Sequence, residues 1–332
     1  MKLYFFNNYC YASICAVFFF LTLESCRPNN SSTASNSFYA AKTNEYVIPD
    51  TSLIPNDKTG NEIRYGLELI TKTAKYLGPN GSVMQLTGNK MNCKNCHLDE
   101  GRRLFSNNFI ETYLKYPQYR AREGKVLTIE DRVNNCFERP MNGKILPYDS
   151  REMRAIVAYI RWLSDGHIAS FKKDSFHLGE ISLIDRAASP ENGKKVYENN
   201  CARCHGENGQ GKMDSTLVSY QYPPLWGRYS YAAGSSMHRV ITASRFIKWS
   251  MPYNAVPSNP VLSDEDAFDV AAYINDDKIH PRPYRKLEVD CPDLENKPID
   301  FPSGPFLDTF PIIQHKYGPF KPIVEYYKQR KK

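Results

Sequence analysis

Apolar residues recur at helical spacing in three stretches of this chain, a capped start marks a fourth helix, and the four fall into two pairs. Ile63, Leu67, Ile70, Ala74 and Leu77 keep one face apolar, with Asn61 placed to cap the helix and Gly78-Pro79 to stop it. Met153, Ile156, Val157, Ile160 and Leu163 form a second stripe. Asp149 and Glu152 stand at the spacing of a capping box before it, and Gly166 stands near its end. Further on, Ser189-Pro190 has the N-cap and first-turn pair of a helix start, leading through Val196 and Tyr197. Ser263 with Asp266 opens a last helix bearing Ala267, Val270, Ala271 and Ile274, which closes near Pro281. The pattern predicts a mainly α chain with two small helical domains.

The ends read differently. Lys2 followed by an apolar run from Ala12 to Leu23 has the form of an export segment, too short for a good membrane span. It ends in Leu23-Glu24-Ser25-Cys26, which is similar to a bacterial lipobox and marks Cys26 for lipidation; Glu24 departs from the small neutral residue usual there. Residues 27–48 are rich in Ser and Asn and read as a tether. From Arg282 the chain is rich in proline and aromatic residues and is expected to wrap the body in extended, irregular form. The 332 residues suggest two domains, and 22 prolines with 18 glycines suit loops packed around a large flat cofactor. The formal charge of +7 could steer small anions or an acidic redox partner, whereas no basic helix or aromatic-basic platform points to nucleic acid.

The chemistry sits between the paired helices. Cys93-Lys94-Asn95-Cys96-His97 and Cys201-Ala202-Arg203-Cys204-His205 are two copies of C-x-x-C-H, the attachment signature of c-type haem. The two thiols add to the vinyl groups of the porphyrin, and the following histidine takes the proximal iron position. A zinc site would need the two Cys pairs within about 20 residues of one another, and more than a hundred separate them. A thioredoxin-like motif has no need of the histidines. Two haem c groups are expected, each in a cytochrome c-like domain, and their attachment outside the cytoplasm agrees with the export segment.

Each haem needs a second axial ligand or an open site. Met251 lies 46 residues after His205 and 12 before Ser263, the usual place for a distal methionine. Counting back 13 from Asp149 lands on Cys136, so the first domain has a cysteine in that slot. A thiolate lowers the potential of iron and is a soft nucleophile suited to sulfur chemistry. Met141 is the rival ligand; in that case Cys136 could pair with Cys291.

Glu130-Asp131-Arg132-Val133-Asn134-Asn135-Cys136-Phe137-Glu138-Arg139, with Asn142-Gly143 just after, resembles the dihaem thiosulfate dehydrogenases. The likeness runs over nearly the whole chain after the export segment, and similar stretches occur in cytochromes of the thiosulfate-oxidising multienzyme pathway. The resemblance implies a His97/Cys136 haem, a His205/Met251 haem, and the joining of two thiosulfates into tetrathionate or the reverse. Arg122 and Arg132 stand where the family places its substrate-binding arginines, with Arg139 a weaker candidate. A guanidinium holds an oxyanion through two parallel hydrogen bonds. Pro140 stands where the family commonly has Ser, and Ser250 where some members have Lys, which argues against a Lys/Met ligand exchange; Lys248 is poorly placed to substitute.

The expected organisation is an export segment (1–26), a tether (27–48), a first cytochrome c domain (49–167), a linker (168–188), a second domain (189–281) and a wrapping tail (282–332). The expected location is the periplasmic side of a bacterial membrane, with a lipid anchor as the membrane contact and a soluble carrier such as a small cytochrome as redox partner. Two other classes fit parts of the pattern. One is an electron carrier without a substrate, ligated by Met141 and Met251. The other is a subunit that binds a sulfur-carrier protein on its basic face.

Overall fold

The computed structural model describes residues 48–165, 178–255, 259–287 and 290–331. The expected export segment with Cys26, the expected tether to residue 47, and residues 166–177, which hold Gly166 and the first half of the expected linker, lie outside the described residues.

In the first half, helices α1 (Lys58–Thr71) and α2 (Thr73–Leu77) lead towards the first haem motif. The N-cap of α1 is Asp57, whose side chain accepts from Gly60 N at 2.7 Å, rather than Asn61, which lies inside the helix. Asp57 wins because the chain turns helical one turn earlier than the apolar stripe shows. A hairpin of β1 (Gln118–Arg120) and β2 (Lys125–Leu127) follows. Helix α3 (Ile129–Glu138) comes next, then α4 (Arg151–Asp165). Ser150 rather than Asp149 caps α4, its Oγ accepting from Met153 N at 3.1 Å. Glu152 is turned inward instead, to accept from Tyr65 OH at 2.9 Å.

The second half repeats the plan. Helix α5 (Pro190–Asn200) is capped by Ser189 as its sequence predicts. A small ladder of β3 (Lys212–Met213) and β4 (Tyr220–Tyr222) follows, then α6 (Val240–Ser250) and α7 (Asp264–Ile274), the last capped by Ser263 on Asp266 N. In each half the first and last long helices cross at a glycine. A Cβ on Gly66 would lie 2.0 Å from Ala155 O, and one on Gly193 would lie 1.9 Å from Asp269 O. Only glycine lets the backbones approach this closely.

Two apolar cores result. Ile63, Leu69, Ile70, Leu77, Met153, Ile156, Tyr159 and Leu163 fill the first. Tyr197, Val240, Phe268, Ala271, Ile274 and Phe320 fill the second. Phe320 comes from the tail, which departs from the extended form expected of it: α8 (Ile312–Tyr317) and α9 (Lys321–Arg330) end the chain. Burial of Phe320 and Ile323 drives this, and Pro322 is tolerated because it lies in the first turn of α9. His315, fully buried, fastens the tail through Ile299 O at 2.6 Å and Asp308 at 3.0 Å.

The two halves are joined by polar contacts close to the haem motifs. Asn95 Nδ2 donates to Tyr220 O at 3.1 Å, Arg103 to Ala255 O at 2.6 Å, and Tyr253 OH to Asp99 Oδ1 at 2.7 Å. No helix among the described residues is long and apolar enough to cross a membrane.

Candidate functional site

The first C-x-x-C-H segment is folded before any cofactor is considered. Asn92 caps the turn Cys93–Asn95, and Asn95 answers by accepting from Asn92 N at 2.7 Å. The Asn92 side chain also accepts from Ala74 N at 2.9 Å, which fixes the turn to α2. Thr73 adds two bonds, accepting from Cys93 N at 3.0 Å and facing Cys93 Sγ at 3.3 Å. His97 Nδ1 donates to the carbonyl of Asn107, and Phe109 stacks on the imidazole at 4.2 Å. Committing Nδ1 to a carbonyl leaves the Nε2 lone pair for a metal.

Helix α3 supplies the opposite wall. Thr128 and Asp131 make a reciprocal capping box at its start. Asn134 holds the chain beyond the helix through Leu146, at 3.1 and 2.8 Å. Arg132 and Cys136, one turn apart, face the cavity, and Arg132 Nη1 donates to Cys136 Sγ at 3.1 Å. His97 lines the same cavity. The cavity is about 360 Å³ and is lined by Cys93, Cys96, His97, Lys115, Tyr116, Arg120, Arg132, Cys136, Pro140 and Met141, among others.

The three thiols of this cavity are held in opposite states. Burial pushes Cys93 up to about 11 and Cys96 up to about 12, so both stay neutral. Burial acts on Cys136 in the same direction, but the Arg132 guanidinium and the His97 hydrogen bond outweigh it and bring the thiol down to about 6. Arg132 is raised in turn, chiefly by the Cys136 charge. Two neutral thiols that a thioether can replace, one imidazole and one thiolate are a donor set that fits a covalently attached haem.

The second cavity, also about 360 Å³, gathers Cys201, Cys204, His205, Met237 and Met251. Gly206, Gly209 and Gly211 turn the chain beside it at φ of 83°, 60° and 74°. His205 Nδ1 donates to Pro223 O at 2.8 Å, and burial lowers the imidazole, which favours the neutral ligand form. Burial raises Cys201 to about 12. Met251 follows the last residue of α6 and lines the cavity. Lys248, three residues before it, does not line the cavity; its Nζ is committed to Leu262 O at 2.6 Å and Asp264 at 3.1 Å. Met91 and Cys96 line both cavities, so the two sites share a wall.

Three expected residues lie elsewhere. Arg122 is not among the residues lining the first cavity: it donates to Gly234 O, pairs with Asp290 at 3.6 Å and stacks over Phe301. Burial and the neighbouring Arg139 lower it to about 10. Arg139 is bound to Glu123 at 2.7 Å in the same buried cluster. Cys291 is buried there too, its N–H on Arg122 O at 2.8 Å, and is free, so the Cys136–Cys291 pairing does not form. Lys115 and Arg120 line the cavity instead. They escape sequence reasoning because the hairpin that carries Arg120 is set by tertiary packing.

Residues 85–168 match the family described as SoxA/TsdA, cytochrome c domain, and residues 190–277 match cytochrome c. A thiosulfate dehydrogenase of Psychrobacter arcticus is 35% identical over 277 residues, 82% of this chain and 77% of that protein. Those of Stutzerimonas stutzeri and Allochromatium vinosum are 37% and 33% identical, covering 71% of this chain each and 72% and 84% of their own lengths. Among solved structures, a thiosulfate dehydrogenase (TsdBA) from Marichromatium purpuratum superposes with a TM-score of 0.63 at 30% identity. The match covers 71% of this chain and half of that one. Two cytochrome c domains, each turning a C-x-x-C-H set into its own cavity, carry two covalently bound haem c groups, and the chain belongs to the thiosulfate dehydrogenase family of oxidoreductases.

Proposed function

We propose that this is an exported dihaem cytochrome c that joins two thiosulfates into tetrathionate, or runs the reverse, at Cys136. The observation that carries the reading is the Arg132–Cys136 pair at 3.1 Å in a cavity that His97 also faces. His97 and Cys136 are read as axial ligands of the first haem, His205 and Met251 as those of the second. When bound, the haems supply the one-electron acceptors for the pair of electrons that the reaction releases.

The chain's own residues do the rest. Arg132 keeps Cys136 as thiolate, and Arg120 and Arg132 make the cavity cationic, which suits a dianion; Lys115 on the same lining is paired with Glu111 at 3.1 Å. The role expected of Arg122 falls to Arg120 in this reading. The Cys136 sulfur and the terminal sulfur of one thiosulfate form an S–S bond as two electrons leave. The terminal sulfur of a second thiosulfate then displaces Cys136, which departs as thiolate, and tetrathionate is complete. Arg132 suits both halves, because it stabilises the thiolate at the start and as leaving group.

Residues 49–167 and 189–281 are taken as the domains, joined by 168–188, with 282–332 packing on both, through Asp290 and Cys291 on the first and Phe320 on the second. Lipidation at Cys26, a periplasmic location and a soluble redox partner such as a small cytochrome complete the reading.

The test is tetrathionate formation from thiosulfate by the purified dihaem protein with ferricyanide as acceptor. Cys136→Gly should abolish turnover while both haems stay attached. Retained turnover would remove Cys136 from the reaction and favour Met141, on the same cavity wall, as the first distal ligand.

A further inference from the structure

One polar contact between the two halves stands apart from the rest. Ser106 Oγ and Ser250 Oγ lie 2.7 Å apart, and both residues are fully buried. A buried hydroxyl needs a partner and has a single proton to give. Ser106 Oγ also lies 3.3 Å from Leu104 O, whereas the second contact of Ser250, to Phe105 O, is longer at 3.4 Å. The arrangement that satisfies both hydroxyls has Ser250 donating to Ser106 and Ser106 donating to Leu104 O.

The neighbours of the two serines give this bond its interest. Asn107, next to Ser106, holds His97 through its carbonyl, and Phe109 on the same loop stacks on that imidazole. Met251, next to Ser250, lines the second cavity. Phe105 and Asn107, on either side of Ser106, have φ of 61° and 54°, a region that side-chain-bearing residues rarely adopt. The loop is therefore held in a conformation it would leave if released. Phe105 packs on Trp249 at 6.4 Å, and the Trp249 indole donates to Glu180 O at 2.7 Å, so the α6 end of the bond is braced as well.

We infer that the run Asn107-Ser106···Ser250-Met251 is a positioning bridge through which each haem site sets the geometry, and hence the reduction potential, of the other. Releasing Ser106 lets the Asn107 carbonyl move off His97; releasing Ser250 lets the Met251 turn move. The inference rests on reading His97 and Met251 as iron ligands. It assigns Ser250 a role of its own, which is to hold the turn that carries Met251 against the other domain.

The experiment uses the full dihaem protein and its Ser250→Ala, Ser106→Ala and doubly substituted forms. Each haem is titrated potentiometrically by its own optical and electron paramagnetic resonance signals. Ser250→Ala, made in the second domain, should change the oxidised-to-reduced ratio of the first haem at fixed potential by about threefold or more. Ser106→Ala should do the same to the second haem, because it breaks the same bond from the first-domain side. The double variant should change little beyond either single one. A first haem that titrates as in the wild type in Ser250→Ala, or effects that simply add, would overturn the bridge; lower thermal stability alone would be a packing effect. Should Ser250→Ala fail to fold, Ser106→Ala alone decides by the titration of the second haem. The ligand reading is tested separately, by whether Met251→Ala removes the methionine–iron absorption band, so its failure cannot be mistaken for failure of the bridge.

Discussion

Arg132 and Cys136 are one helical turn apart on α3, and the guanidinium donates to the thiolate at 3.1 Å inside a cavity. Burial alone would raise this thiol; the adjacent cation and His97 reverse the sign and leave it at about 6, against an ordinary 9.0. Thiolate therefore predominates above about pH 6 and is lost by protonation below it. Arg132→Met removes the larger lowering influence, so burial prevails and the thiol moves up. The acid limb of kcat/KM for tetrathionate formation should shift to higher pH in this variant. At pH 7 its rate should fall by about 10- to 100-fold. A pH–rate profile checks this: a uniform drop with the limb in place would assign Arg132 to substrate binding only.

How much of this site was legible depended on how local its cause is. The C-x-x-C-H segments are covalent chemistry written into five residues, the apolar stripes of α1, α4 and α7 follow from period alone, and α5 is announced by its Ser189-Pro190 start. Cys136 could be found by spacing from the next helix. Helix α3 itself went unforeseen although Thr128 and Asp131 stand at capping-box spacing; α6 has no side-chain cap to announce it. The crossings at Gly66 and Gly193 are tertiary facts, since the atoms that exclude a Cβ belong to Ala155 and Asp269. Arg122 is drawn from the cavity by Asp290, a residue of the tail far along the chain, which no local pattern connects to it. The tail misled because its prolines suggest extended chain, while buried Phe320 and Ile323 decide for helix.

A second prediction concerns acid. His238, buried, accepts at Nδ1 from Gly234 N at 3.0 Å and meets Asp277 with Nε2 at 3.0 Å. Accepting at Nδ1 requires the neutral ring with its proton on Nε2. Burial pushes this imidazole down to about 4 against an ordinary 6.5; the Asp277 hydrogen bond opposes the shift, and Arg282 and Lys316 add to it. Between these two values the unfolded chain binds more protons than the folded one, so stability from this group is complete above pH 6.5 and is lost as pH falls through 4. The loss should reach about 3 kcal/mol. Asp277 is held well below the carboxylate range, so its own part is lost only at lower pH. Thermal unfolding of the holoprotein from pH 7 to pH 4 should show this fall, and His238→Gln should flatten it. An equal slope in both proteins would assign the acid sensitivity to other groups.

The last prediction follows from Lys248, a buried lysine on α6. Its Nζ reaches Leu262 O at 2.6 Å and Asp264 at 3.1 Å. Leu262 directly precedes the N-cap Ser263, and Asp264 is the first residue of α7, so this one ammonium joins the end of α6 to the start of α7. Between those ends runs the loop that begins with Met251. The lysine thus closes the mouth of the loop, with its ammonium committed to Leu262 O and Asp264 rather than offered as a ligand. Lys248→Met keeps the buried stem but strips the partner from a buried carbonyl and a half-exposed carboxylate, which should cost about 1–3 kcal/mol. Lys248→Arg, which keeps the charge, should lose less. If Met251 is the distal ligand, the methionine–iron band of Lys248→Met should also bleach on heating before the protein unfolds, because the loop loosens first. Calorimetry and visible absorption on the same heating ramp separate the two events. Coincident loss, at the wild-type temperature, would show that the loop holds its shape without this lysine.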